Sequence, residues 1–155
     1  MRINPKKQAY EKKLIQLVPV IFAYLKKPKA QVTVTLLSDA QMRVLEKKYM
    51  HKEKKIVNVL SFKTPDGFPH PENPLKTVGD VYINWDIHQK EKSRMKFLLV
   101  HGILHILGYR HGTKHDSMRM QNLEKRICRH ILLPVSTLEH QPSRLSLPRA
   151  VHRGN

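Results

Sequence analysis

The sequence predicts an α+β fold: a small mixed β-sheet packed with helices, with a metal site on a helix and the turn after it. Three observations carry this reading. Residues 31–37, 56–62 and 78–84 are short runs rich in β-branched residues. Residues 7–26, 39–49, 87–107 and 113–131 read as helices from their apolar spacing and boundary signals. The run His101-Gly-Ile-Leu-His105-Ile-Leu-Gly108-Tyr-Arg-His111 sets three histidines around a helix end. Strands and helices interleave without an internal repeat, as in a sheet layered with helices.

In the first helix, Tyr10, Leu14, Leu17, Val18, Ile21 and Leu25 recur along one face, and Pro19 is expected to kink or split it. Gln31–Leu37 alternates and forms the first strand. Ser38-Asp39 offers an N-cap for the second helix. Ile56–Phe62 is the second strand. Residues 63–77 hold four prolines and a glycine and form a long loop. Val78–Asn84 is the third strand. The histidine-bearing helix follows over 87–107, and the last helix over 113–131. Residues 1–133 are expected to form one domain. Residues 134–155 are polar, contain Pro142 and Pro148, and are expected to be a disordered basic tail.

Charge is the second strong signal. The chain has 155 residues and a formal net charge of +17. Residues 43–55 and 110–130 each carry six Lys or Arg against two acids. Such an excess implies an anionic partner, nucleic acid first. Cys128 is the only cysteine, which excludes an internal disulfide. The N-terminus lacks the apolar segment of a signal peptide, and no run reaches the ~20 apolar residues of a membrane span. A cytoplasmic location without membrane attachment is the expectation.

His101 and His105 stand four residues apart, so their Cβ atoms lie on one helix face roughly 5–6 Å apart. Two imidazoles so placed can reach one ion. Gly108 can end the helix in a left-handed conformation and let His111 return to the same ion. Three histidines leave a fourth tetrahedral position open for water, the arrangement of a catalytic zinc. The bland alternative is a set of satisfied histidines in an apolar helix. His115 offers another ligand choice, and Cys128 reads as a buried apolar residue. Zinc peptidases with a His-Glu-x-x-His motif carry a Glu after the first His. Here that position is Gly102, which argues against an ordinary metallopeptidase.

The His101–His111 run resembles the signature of the YbeY-type endoribonucleases, the ribosomal RNA maturation factors, whose pattern is His-Gly-x-Leu-His-Leu-x-Gly-Tyr-Asp-His. Asn58-Val-Leu-Ser-Phe62 and Gly79-Asp-Val81 are similar to two of the family's strands, and Met120 and Glu124 match its last helix. The resemblance covers about residues 30–131. It implies one zinc-type ion per chain held by His101, His105 and His111. It also implies cleavage of single-stranded RNA in maturation of ribosomal RNA, with the small ribosomal subunit as partner.

Two departures bear on the site. The family's Tyr-Arg pair is Tyr49-Met50 here, so a neighbour such as Lys48, His51 or Lys52 is expected to contact RNA instead. The family's Asp is Arg110, expected either to hold a phosphate beside the metal or to face solvent. Lys63 replaces the family's usual Pro after Ser61-Phe62. Asp80 is the acid expected nearest the cleft, as a helix-cap or turn partner or as a carboxylate that orients a histidine. Asn58 and Ser61 either line the cleft or bond within the sheet. Glu124 either faces the metal helix or pairs at the surface. Two other functions fit these features: a non-catalytic zinc-containing ribosome- or RNA-binding protein, and a metal hydrolase with a small substrate.

Overall fold

The computed structural model describes residues 3–51, 56–65 and 74–131. The expected tail at 134–155, Lys52 and most of the proline-rich loop lie outside these residues. In chain order the elements are α1 (Pro5–Tyr24), β1 (Ala30–Leu37), α2 (Asp39–Met50), β2 (Val59–Lys63), β3 (Lys76–Asn84), α3 (Trp85–His88), α4 (Lys92–Ile106) and α5 (Lys114–His130). The fold is α+β, as expected.

The sheet order is β1-β3-β2, with β1 parallel and β2 antiparallel to the central β3. Side chains alternate across each strand, so the two sheet faces carry different sets. Val59, Ser61, Val81 and Ile83 point to one face, and Gly102 of α4 approaches Val81 there. The main core joins Val59, Val81 and Ile83 to Leu14, Ile21 and Phe22 of α1 and Leu98, Leu99 and Ile103 of α4. On the other face α2 packs Met42 and Met50 against Val57 and Leu60. Helices therefore cover both faces, and α4 with its histidines lies opposite α2.

Pro19 does not split α1, which runs unbroken from Pro5 to Tyr24. Pro19 and Ile15, whose carbonyl it leaves without an intrahelical donor, are both exposed, so water can satisfy that carbonyl. Both α1 and α4 end in Schellman turns. In α1, Lys26 takes the left-handed conformation at φ 60° and Lys27 N–H donates to the Phe22 carbonyl at 2.8 Å. In α4, Gly108 has φ +102° and Tyr109 N–H donates to the Leu104 carbonyl at 3.0 Å. The left-handed Gly108 expected from the sequence is therefore present.

The expected helix 87–107 is two helices. Asn84 caps α3 by accepting from Ile87 N–H at 3.1 Å, so that helix begins at Trp85, two residues before the expected start. Its amide also donates to Asp39 at 2.9 Å and to the Val57 carbonyl at 3.0 Å, which fixes the end of β3. Trp85 and His88 both turn inward, and the chain resets at 89–91 before α4 begins. The second strand is also shorter than expected, because only Val59–Lys63 pairs with β3. Tyr10 ties α1 to α4 by donating to the Lys92 carbonyl at 2.8 Å, and burial pushes its pKa up to about 12.

Candidate metal centre

The histidines are presented by two local features. One turn of α4 stacks His101 beneath His105, and the Gly108 turn brings His111 back to them. Each offers a ring nitrogen, and the three lie within 4.8 Å of one another. His101 and His105 are buried and His111 is half-buried. The Nε2 atoms of His101 and His105 face each other at 2.7 Å.

The opposite nitrogen of each ring is held. His101 Nδ1 bonds the Glu124 carboxylate, His105 Nδ1 bonds the Tyr109 carbonyl at 2.9 Å, and His111 Nδ1 bonds Ser117 Oγ at 3.2 Å. Such outer partners set the tautomer and leave Nε2 as the metal donor. This is the chemistry of a three-nitrogen site for a zinc-type ion, and the residues present fit it. Glu124 is buried at 2% exposure on α5 and faces the metal helix, which decides between its two sequence readings.

Other expected residues are arranged differently. A Cβ at Gly102, such as the peptidase Glu would bring, meets the Val81 side chain at 3.0 Å and requires it to shift. Ser61 lies on the α4 face, 3.7 Å from that same Cβ position. Asp80 is not at the histidines. It bonds the Thr33 hydroxyl on the α2 face of the sheet, beside Phe62 and Tyr82. Asn58 is buried, and its Oδ1 lies 2.7 Å from Nε2 of His88. His88 was not singled out from the sequence. Burial, then Arg94, pushes its pKa down to about 4. A lone histidine between Ile87 and Gln89 gave no spacing signal for it.

Met50 is buried at 9% exposure against Met42, Val57 and Leu60. Lys48 lies over the Tyr49 ring at 5.2 Å, and His51 is the exposed, left-handed C-cap of α2. Both stand on the helix opposite α4. Arg110 is exposed in the turn between Tyr109 and His111. His115 is exposed and outside the cluster. Cys128 is buried in the core, where burial pushes its thiol pKa up, and it is no ligand among the described residues.

Comparison with known proteins agrees with this geometry. The endoribonuclease YbeY of Geobacter metallireducens is 34% identical over 117 residues, covering 69% of this chain and 77% of that protein. That of Nitrobacter hamburgensis is 31% identical over 115 residues, covering 68% of this chain and 60% of that protein. That of Vesicomyosocius okutanii is 35% identical over 109 residues, covering 65% and 72%. A family model described as Endoribonuclease YbeY matches residues 2–132, a span that holds the sheet, the three histidines and Glu124, and the chain therefore belongs to the YbeY endoribonuclease family.

Proposed function

We propose that this protein is a metal-dependent, single-strand-specific endoribonuclease acting in ribosomal RNA maturation. The observation that carries the reading is the meeting of His101, His105 and His111, each with its outer ring nitrogen already bonded. In this reading residues 1–133 are the catalytic domain and the cofactor is one zinc ion per chain.

A zinc-type ion supplies Lewis acidity toward a phosphoryl oxygen and a source of hydroxide near neutral pH. The chain's own residues do the remaining work. Glu124 keeps the His101 ring oriented and its Nδ1 protonated. The Tyr109 carbonyl does the same for His105. Arg110, one residue before His111, neutralises charge that develops on the scissile phosphate. Lys48, His51 and Lys52 contact the RNA strand. The net charge of +17 favours a polyanionic substrate over a small neutral one. The family's name supports RNA as that polyanion. The small ribosomal subunit as partner, and the cytoplasm as location, belong to the same reading; among the described residues no helix is long and apolar enough to cross a membrane.

The test is cleavage of single- and double-stranded RNA by protein of known metal content, beside His105→Ala. Cleavage of single strands alone, lost in the variant and in chelator, is the expected result. RNA binding without cleavage by the metal-loaded protein overturns it in favour of a non-catalytic RNA-binding role.

A further inference from the structure

The Schellman turns that end α1 and α4 converge with the first turns of α5. Between them lies a recess of about 450 Å³. Its charged lining comes from all three elements: Lys27 after α1, Arg110 after α4, and Asp116 and Arg119 on α5. Leu25, Leu107 and Tyr109 supply an apolar wall.

We propose that this recess holds one nucleotide unit of the RNA strand, with Lys27, Arg110 and Arg119 on the phosphate and Asp116 on the ribose 2′-hydroxyl. The recess then distinguishes RNA from DNA. This rests on the endoribonuclease reading above and extends it to a second part of the surface.

Three like charges brought to one recess repel one another unless an anion joins them. Among the described residues, the side chains of Lys27, Arg110 and Arg119 make no ion pair, with Asp116 or with any other acid. The C-terminal ends of α1 and α4 carry partial negative charge that tolerates the cations while the recess is empty. A phosphodiester supplies the missing anion, and guanidinium groups suit phosphate oxygens through paired donors.

Asp116 decides what accompanies that phosphate. A carboxylate only accepts hydrogen bonds, so it repels a second phosphate and suits a hydroxyl donor. The 2′-hydroxyl is the group that separates RNA from DNA. The backbone N–H of Asp116 is engaged by Thr113 Oγ at 3.0 Å, but its carboxylate makes no hydrogen bond among the described residues. The apolar wall suits the face of a sugar or base.

Location adds an independent argument. The Tyr109 carbonyl that lines this turn holds His105, and Arg110 directly precedes His111. A nucleotide in the recess is therefore separated from the histidine cluster by one turn of backbone. The nucleotide in the recess then lies on the α1 and α5 side of the metal.

The test is stopped-flow anisotropy of the metal-loaded full chain with matched single-stranded RNA and DNA, read before cleavage accumulates. Wild type is expected to bind RNA more tightly than DNA. Asp116→Ala is expected to lower the RNA-to-DNA affinity ratio about tenfold, the worth of a hydrogen bond to a charged group. Lys27→Ala with Arg119→Ala weakens both and flattens the salt dependence by up to about 0.7 in slope, the worth of one single-strand phosphate contact. Lys12→Ala with Lys13→Ala, an equal loss of charge on the exposed face of α1, leaves ratio and slope as in wild type. Asp116 also sits in the first turn of α5, so Asp116→Asn and thermal unfolding of each variant keep helix loss apart from lost recognition. An unchanged ratio in a folded Asp116→Ala, or an unchanged slope in the Lys27/Arg119 variant, overturns the inference alone. Failure of wild type to bind RNA at all overturns the proposed function as well.

Discussion

Glu124 holds the ring of His101 from a helix 23 residues further along the chain, and both side chains are buried, at 3% and 0% exposure. The contact joins α4 to α5 beneath the metal centre. It makes α5 part of the site although α5 contributes none of the three ring nitrogens.

Glu124→Gln removes the charge and keeps the shape. Zinc affinity is expected to fall about 10–100-fold, the usual effect of losing an outer partner of a metal-binding His. Competition with a chelating dye reads it. Unchanged affinity would reduce Glu124 to a packing role.

Zinc is expected to stabilise the wild-type chain by about 2.7 kcal/mol at a hundredfold excess over its dissociation constant. Thermal unfolding with and without zinc measures this as a rise in Tm. His105→Ala removes one of three donors, and the rise should largely vanish. An equal rise in that variant would place the ion elsewhere.

Gly79→Ala is expected to be among the costliest single-methyl changes in the sheet. The added Cβ falls 2.5 Å from the Phe62 carbonyl oxygen and 2.8 Å from Ile106. Backbone cannot step aside cheaply, so the cost is about 1–3 kcal/mol. Gly102→Ala meets the side chain of Val81 at 3.0 Å and should cost less. Denaturant midpoints of the two variants give the order, and a reversed order would contradict the packing described for α4.

His88 predicts a pH dependence of stability. Its folded pKa, about 4, lies below the ordinary histidine value of 6.5 because burial disfavours the charged ring. The unfolded chain therefore takes up the proton first. The contribution is complete above about pH 6.5 and declines as pH falls toward 4, by up to about 3 kcal/mol. His88→Gln should lose less stability than wild type across that window in paired unfolding curves. Parallel curves would show that other groups set the acid limit.

Met50→Arg restores the residue that the resemblant family carries, yet the site is a core position here. A guanidinium placed against Met42, Val57 and Leu60 is expected to cost more than about 2 kcal/mol. The measurement is stability by urea titration. A neutral effect would show that the Arg side chain escapes to solvent at the end of α2.

Much of this protein is written locally. The Ser38 cap, the alternation of Val32, Val34 and Leu36, the four-residue spacing of His101 and His105, and the left-handed Gly108 each depend on a few neighbouring residues, so the sequence alone determined the α+β class, most elements and the three-histidine cluster. The helix expected over 87–107 starts earlier, at Trp85, where Asn84 is held by Asp39 and Val57, residues distant in sequence, and it is interrupted at 89–91 before α4. Tertiary structure alone decided that Glu124 turns to His101, that Asp80 turns away to Thr33, and that Met50 enters the core. It also decided that Lys27, Arg110 and Arg119 meet in one recess. These are properties of which sheet face or helix end a side chain occupies, and packing between elements sets that, not the spacing within any one of them.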